Sequence, residues 1–183
     1  RRIDPAGNLI GRLDGQGAKA GQVLMTGSHS DTVPDGGRFD GIAGVLAGLA
    51  AVRAMRAAGY RPNHSIEGVD FLAEEPSDYG LSCVGSRGMS GALGPSELAL
   101  TGPGGETLGA AIDRIGGDVA RLDKALRDDV VGFVELHIEQ GPVLEHEGLG
   151  LGIVTGIAGV TRLKVAFVGM AGHAGTTLMD LRA

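Results

Sequence analysis

The sequence predicts an α/β domain in which helices cover both faces of a sheet. Three consecutive segments indicate this order: an apolar strand at residues 22–26, a helix at 41–58 and a second apolar strand at 65–73. Arg56 lies in the last turn of the helical segment and Gly59 follows it, which is typical of a helix C-terminus. Strands that alternate with helices in this way favour a sheet layered between helices.

The remaining elements extend this core and suggest a second domain. Segment 91–117 is rich in glycine and proline, and we expect it to run over the surface with a short helix at 106–115. Residues 160–168 alternate as a half-exposed strand does, unlike the earlier buried strands. This change of pattern divides the chain into domains at 1–156 and 157–183. The other predicted elements are a strand at 8–13, a helix at 118–126, a strand at 130–138 and a short helix at 142–148.

Composition and charge narrow the classes of partner. The chain of 183 residues carries 16 Lys and Arg against 22 Asp and Glu, which gives a net charge of −6. The acidic net charge and the lack of any run of five or more basic residues argue against a nucleic-acid groove or an anionic membrane as partner and favour a small solute. No apolar segment is long enough to span a membrane, and no signal peptide is visible. The single cysteine, Cys83, fits a reducing compartment, so we expect a cytoplasmic protein.

Histidines and carboxylates follow three of the predicted strands. Because the carboxyl ends of neighbouring parallel strands meet at one edge of a sheet, these groups can converge although they are distant in sequence. A mixed set of imidazoles and carboxylates suits zinc, manganese, cobalt or nickel, whereas oxygen ligands alone would suit calcium or magnesium. The sequence therefore indicates a transition-metal site. The candidate groups are His29, Asp31 and Asp40, then Glu74 and Glu75, and finally His137 and Glu139.

Each of these residues also has a structural interpretation when it is taken alone. A single histidine at a strand end, such as His29, is more often a hydrogen-bonded structural residue than a ligand. His64 and His146 are predicted to be surface residues, and Cys83 to be a small packed side chain rather than a nucleophile. The adjacent pair Glu74 and Glu75, however, would be costly to bury after an apolar strand without a cation or a proton. The metal-site hypothesis therefore depends on the conjunction of groups.

Six ordered motifs resemble one known family. The chain is similar to the hydantoinase/carbamoylase branch of the M20 metallopeptidase-like amidohydrolases, which includes N-carbamoyl-L-amino-acid hydrolases, β-ureidopropionases and allantoate amidohydrolases. The resemblance implies a three-layer metallopeptidase-like catalytic domain with a mixed sheet, followed by the start of a smaller α+β lid or dimerisation domain. The motifs are GSHSDTV at 27–33, GGRFDG at 36–41, the Glu74-Glu75 pair, GSR at 85–87, ELHIEQGP at 135–142 and GHAGTT at 172–177.

The resemblance also implies a pair of divalent transition-metal ions. His29, Asp40 and His137 match the ligands of one ion, and Asp40 and Glu75 match those of a second, with Asp40 bridging. A further histidine ligand, as well as the arginine and asparagine that bind the substrate carboxylate, would come from sequence beyond Ala183, since relatives are more than twice as long.

Catalytic and substrate-binding roles follow from the same resemblance. Asp31 matches the carboxylate that orients His29, and Glu74 matches the general base. Gln140 resembles a substrate contact. His173 resembles a residue that the lid domain lends to the partner subunit's active site in a homodimer, where it contacts the substrate and assists catalysis.

The function implied is hydrolysis of a linear C–N amide bond of N-carbamoyl-L-amino acids or related ureido compounds by a metal-bound hydroxide. Allantoate amidohydrolase and β-ureidopropionase activities are alternatives within the branch. An M20 aminoacylase or peptidase is a more distant alternative, against which segment 135–142 and His173 argue. A non-catalytic fragment that binds metal or dimerises is the alternative outside the enzymes.

Overall fold

The structure is a computed structural model that describes residues 1–159, 161, 163, 165–166 and 168–182. The chain divides into two compact units, Arg1–Pro142 and Val143–Ala183. The domain boundary predicted between residues 156 and 157 stays a prediction. The strand predicted at 160–168 includes residues 160, 162, 164 and 167, which lie outside the described set, so it stays a prediction too.

A mixed five-stranded sheet forms the centre of the first unit. The two short N-terminal strands pair antiparallel, and the second of them also runs antiparallel to its other neighbour, β4. The other three strands run parallel, and the order across the sheet is β1-β2-β4-β3-β5. All four strands predicted within the first 142 residues are confirmed. The strands are β1 (Arg2–Ile3), β2 (Leu9–Leu13), β3 (Val23–His29), β4 (Ser65–Phe71) and β5 (Val130–Val134).

In the first unit, one long helix and several short ones accompany the sheet, and the described part of the second unit contains a further short helix. The long helix is confirmed, and a left-handed Gly59 with φ of 66° lies just after its end. The prediction of a helix at 118–126 is wrong, because Val119–Ala125 forms 3-10 turns that are interrupted by a non-helical Arg121. The helices are α1 (Ile42–Ala57), α2 (Val84–Ser90), α3 (Pro95–Leu98), α4 (Leu108–Arg114) and α5 (Val143–His146), with further 3-10 turns at Pro103–Gly105 and Met179–Leu181.

Helices lie on both faces of the sheet, as the sequence predicts. Helix α1 approaches the face that carries Ser28, and a Cβ at Gly44 would lie 2.6 Å from the Ser28 Cβ. Glycine therefore allows a close packing of helix on strand that a larger residue would block. The opposite face carries an apolar core to which Met89 of α2 contributes. The buried members of this core are Ile10, Val23, Met25 and Val69.

Segment 91–117 is not the surface excursion that its glycine and proline content predicts. Leu93, Leu108 and Ile112 are 5%, 3% and 1% exposed, and they pack with Val84 in a second apolar core. The short helix predicted within this segment is confirmed as α4, with the Thr107 hydroxyl accepting a hydrogen bond from the Ala110 amide. Few but well-spaced apolar residues therefore anchor a segment whose composition resembles a loop.

A buried carboxylate ties three parts of the chain to the middle of the sheet. Glu67 of β4 is fully buried and accepts hydrogen bonds from Arg2 and Arg12 at 3.1 Å and from Arg127 at 2.7 Å. Burial alone would raise the pKa of Glu67, but the hydrogen bonds from the three guanidinium groups lower it below its usual value. The charge of Glu67 is therefore a stabilising feature of the fold.

Replacing this carboxylate by a neutral amide is expected to destabilise the chain. Glu67→Gln leaves three arginines without their shared counter-ion, although two of these arginines keep contact with water. We therefore expect the free energy of unfolding to fall by about 3 kcal/mol, near the lower end of the range for broken buried ion pairs. Because the pKa of Glu67 is lowered in the folded state, its contribution is present at neutral pH and disappears as the pH falls through that value. Urea unfolding at neutral and acidic pH measures both effects.

The control for this experiment is Asp123→Asn, which removes one partner of an exposed ion pair with Lys124 at 3.0 Å. We expect this variant to unfold at the same urea concentration as the wild type, because the exposed pair contributes little to stability. Equal stability of Glu67→Gln and wild type at neutral pH would contradict the role assigned to Glu67.

Candidate metal centre

Two imidazoles and one carboxylate converge beyond the ends of the parallel strands. His29, Asp40 and His137 each offer a ligand atom, and these atoms lie within 4.8 Å of one another. Thr26 of β3 pairs with Val134 of β5, so each histidine stands three residues beyond this pair. The two rings are 5.7 Å apart between centroids. The parallel register therefore brings the two histidines together, as the sequence predicts.

The hydrogen bonds of both rings leave the same nitrogen available. The Nδ1 atom of His29 lies 2.8 Å from the backbone carbonyl of Asp31, and the Nδ1 atom of His137 lies 2.8 Å from that of Ile138. A proton on Nδ1 satisfies both contacts and leaves the Nε2 lone pairs free to bind a cation. The Nε2 atom of His137 is 3.5 Å from Asp40 Oδ1. This donor set fits a divalent transition-metal ion.

The Glu74–Glu75 segment lies next to the cluster of His29, Asp40 and His137, because a turn after β4 directs the chain toward it. Ala73 has a positive φ of 45°, and the Asp31 carboxylate accepts hydrogen bonds from the Glu75 amide at 3.0 Å and the Glu74 amide at 3.3 Å. Oε2 of Glu74 lies 3.6 Å from Nε2 of His29. The predicted base therefore lies beside Nε2 of His29, a candidate ligand atom.

Asp31 contacts His29 through both its backbone and its carboxylate. The resemblance implies that the Asp31 carboxylate orients the imidazole, and its nearest oxygen is 3.5 Å from Nδ1, while the backbone oxygen is 2.8 Å away. The carboxylate is engaged by the amides of Glu74 and Glu75. One residue thus connects the imidazole to the segment that carries both glutamates.

The charges around the centre favour a bound cation. Burial raises the pKa of Glu75, and the neighbouring carboxylates of Glu74 and Asp40 raise it further. Burial alone would lower the pKa of His29, but the Asp31 carbonyl and the carboxylates of Glu74, Asp31 and Glu75 together raise it. The contributions of the carboxylates to both shifts reflect negative charge that a divalent ion would neutralise.

The two predicted substrate contacts lie in different units. Gln140 has a positive φ of 56°, and its Nε2 atom donates to both carboxylate oxygens of Asp40, at 3.1 and 2.9 Å. His173 is exposed in the second unit, where its Nδ1 atom accepts a hydrogen bond from the Gly175 amide at 3.1 Å. Their roles toward the substrate stay predictions.

Comparison with known proteins decides the family. The model of peptidase family M20/M25/M40 matches residues 25–180 of this chain. The chain belongs to peptidase family M20/M25/M40. Helices α1 to α5, strands β4 and β5, and all the site residues named above lie within the matched range.

Its M20 relatives include enzymes that are named for ureido substrates. A ureidoglycolate hydrolase of Oryza sativa subsp. japonica is 42% identical over 198 residues, covering 99% of this chain and 38% of that protein. An N-carbamoyl-L-amino acid amidohydrolase of Geobacillus stearothermophilus is 47% identical over 181 residues, covering 98% of this chain and 44% of that protein. The chain therefore spans about two fifths of the length of these relatives.

A solved M20 structure shows the same fold. The crystal structure of a hydantoinase/carbamoylase family amidase from Burkholderia ambifaria superimposes with a TM-score of 0.72 at 40% identity, covering 99% of this chain and 44% of that one. The three-layer arrangement with a mixed sheet is thus confirmed, as is the resemblance to the hydantoinase/carbamoylase branch.

Among the described residues of the present chain, no helix is long and apolar enough to cross a membrane.

Sequence reasoning overlooked two residues of this M20 centre. Cys83 was expected only to pack, but its Sγ atom lies 3.6 Å from Oε1 of Glu74. A lone cysteine in a left-handed turn has no sequence signature that would reveal this contact. Gly41, with φ of 63°, lies against the ring of His29. Its position between a candidate ligand and a helix start is a signal that could have revealed it.

A side chain at Gly41 is expected to disturb metal binding. A Cβ there would overlap the ring of His29, and its φ is also unfavourable for alanine. Gly41→Ala should therefore weaken zinc or manganese binding by about 10- to 100-fold, the range for loss of a contact that orients a ligand. Isothermal titration calorimetry measures this change.

The matched control is Gly37→Ala in the same loop, where a Cβ would meet only the Asp40 Cβ at an ordinary 3.9 Å. This variant should bind the ions as the wild type does, and circular dichroism establishes that both variants are folded. Unchanged affinity in folded Gly41→Ala would show that His29 does not hold the ion in the position described.

Proposed function

We propose that this M20 chain is the metal-binding part of an amidohydrolase that cleaves a linear C–N bond in N-carbamoyl-L-amino acids or related ureido compounds. The observation that carries the proposal is the position of Glu74, whose carboxylate borders Nε2 of His29 within a cluster of two imidazoles and a carboxylate. The names of the relatives from Oryza sativa and Geobacillus stearothermophilus support the ureido substrate class.

The proposed cofactors are two divalent transition-metal ions, either zinc or one of manganese, cobalt and nickel. His29, Asp40 and His137 would hold one ion, and Asp40 with Glu75 would contribute to the second. Burial, together with the neighbouring carboxylates of Glu74 and Asp40, raises the pKa of Glu75, and this crowding of negative charge supports a cation shared by Asp40 and Glu75. When bound, such ions polarise the substrate carbonyl and lower the pKa of water toward neutrality.

Glu74 performs the proton transfers in the proposed reaction. It takes a proton from the attacking water as the water oxygen bonds to the carbamoyl carbon, and it delivers this proton to the amino-acid nitrogen as the C–N bond breaks. The products are the free amino acid and carbamate, which decomposes to ammonia and carbon dioxide. Gln140 contacts the substrate, and His173 donates a hydrogen bond to the developing oxyanion.

Removing the charge of Glu74 separates catalysis from metal binding. Glu74→Gln keeps the size of the side chain but cannot accept the proton, so we expect kcat to fall by about 10²- to 10⁴-fold while metal content persists. Glu75→Gln is the matched variant, and it should lose bound metal because Glu75 is a proposed ligand. Ammonia release and elemental analysis of the full-length protein measure the two effects. The opposite pattern would mean that the roles of the two glutamates are exchanged.

A substrate panel tests the proposed reaction class. The full-length, metal-loaded protein is incubated with N-carbamoyl-L-amino acids, ureidoglycolate, allantoate and N-acetyl-L-amino acids. Ammonia from ureido compounds without deacetylation supports the proposal, and the preferred ureido compound identifies the substrate. Deacetylation alone would favour an aminoacylase, and no turnover of any compound would contradict the enzyme assignment.

We also propose that the full-length protein is a cytoplasmic homodimer in which His173 serves the partner subunit. The family resemblance of segment 172–177 supports this role, and the single cysteine among 183 residues agrees with a reducing compartment. Sedimentation equilibrium of the full-length protein tests the dimer, since a monomer at all concentrations would exclude a shared site.

A further inference from the structure

Cys83 lies beside the proposed base on the side away from the histidine. The two carboxylate oxygens of Glu74 have different neighbours: Oε2 lies 3.6 Å from Nε2 of His29, and Oε1 lies 3.6 Å from Sγ of Cys83. The second distance is within reach of a hydrogen bond to sulfur. The thiol therefore contacts the oxygen that does not face the metal-binding nitrogen.

The backbone holds Cys83 firmly in this place. The Cys83 amide donates to the Glu74 carbonyl at 2.8 Å, the Val84 amide donates to the Ala73 carbonyl at 3.0 Å, and the Gly85 amide donates to the Leu72 carbonyl at 2.8 Å. These bonds fasten the start of α2 along the segment that leads to Glu74. Cys83 itself adopts a left-handed conformation with φ of 58°, which is rare for a residue with a Cβ. The surrounding bonds thus fix the direction of its side chain.

The thiol in this setting is a donor. Burial raises the pKa of Cys83, and the charge of Glu74 raises it further. A protonated thiol next to a carboxylate donates its hydrogen to the carboxylate oxygen.

We propose that Cys83 is a positioning residue for Glu74, whose S–H group holds Oε1 so that Oε2 stays directed at the reaction centre. The inference rests on the proposed function, because it assigns a purpose to the orientation of the base. Cys83 touches neither the ligand atoms of the metal triad nor the substrate in this account. Its loss should therefore affect the chemical step and leave metal binding unchanged.

Two substitutions isolate the thiol in the full-length enzyme. Cys83→Ala and Cys83→Ser both keep the Cβ, so the cost of the left-handed backbone is the same in all three proteins. Cys83→Ala should lower kcat by about three- to tenfold, the effect of one modest hydrogen bond, with KM and metal content unchanged. Cys83→Ser, which keeps a donor, should recover most of the activity. The control is Ser90→Ala at the exposed end of α2, where the hydroxyl bonds only the Arg87 carbonyl at 3.2 Å.

An infrared measurement tests the contact without any turnover. The S–H stretching band of Cys83 should shift to higher frequency in Glu74→Ala, because the acceptor is gone, and should not shift in Ser90→Ala. A band that is the same in Glu74→Ala and wild type would overturn the contact. A rise in KM with unchanged kcat in Cys83→Ala, or a loss of metal, would overturn the positioning role.

The failures of the two proposals are distinguishable. If the wild-type protein hydrolyses no ureido compound, the proposed function is wrong and the purpose assigned to Cys83 falls with it. If the wild type is active and Cys83→Ala is equally active, the positioning role alone is contradicted.

Discussion

Parallel pairing of β3 with both β4 and β5 is the constraint on which the site depends. It places the residues that follow all three strands at one edge of the sheet, so that His29, the Glu74–Glu75 segment and His137 meet although they span more than 100 residues of sequence. Asp40 joins these residues because it lies just before helix α1. The left-handed backbone of Gly41 turns the chain from the loop that carries Asp40 into the helix. The positive end of this helix also favours the negative charge of Asp40.

The chain neutralises its buried carboxylates in two different ways. Glu67 is surrounded by three guanidinium groups, which the chain itself supplies, and this cluster joins the N-terminal strands to the segment before β5. Asp40 instead has the neutral amide of Gln140 and the imidazole of His137 as partners, and the pKa of Glu75 is raised by partial burial and by the carboxylates of Glu74 and Asp40. The first arrangement is complete as it stands and stabilises the fold. The carboxylates of Asp40 and Glu75 lack such positive partners in the described part of the chain and would be neutralised by an added cation. One sheet therefore carries a structural carboxylate cluster and a separate candidate metal site.

The sequence was informative where local pattern and chemistry agree. The strand before His29, helix α1 and the convergence of His29, Asp40 and His137 could be predicted, because apolar runs, helix-end residues and ligand types are local signals. Segment 91–117 was predicted wrongly because its few apolar residues reach a core that only the tertiary structure reveals. The contacts of Asp31 and Cys83 with the Glu74–Glu75 segment depend on left-handed turns at Ala73 and Cys83, which neither residue type favours. Such backbone geometry cannot be predicted from one sequence.

The location of a bound ion is the most direct test of this account. Crystals grown with zinc, measured at the zinc absorption edge, give an anomalous difference peak wherever the ion is held. We expect a peak at bonding distance, about 2.0–2.2 Å, from Nε2 of both His29 and His137 and from a carboxylate oxygen of Asp40. A peak that excludes either imidazole, or no peak in zinc-saturated protein, would contradict the metal centre and the function proposed from it.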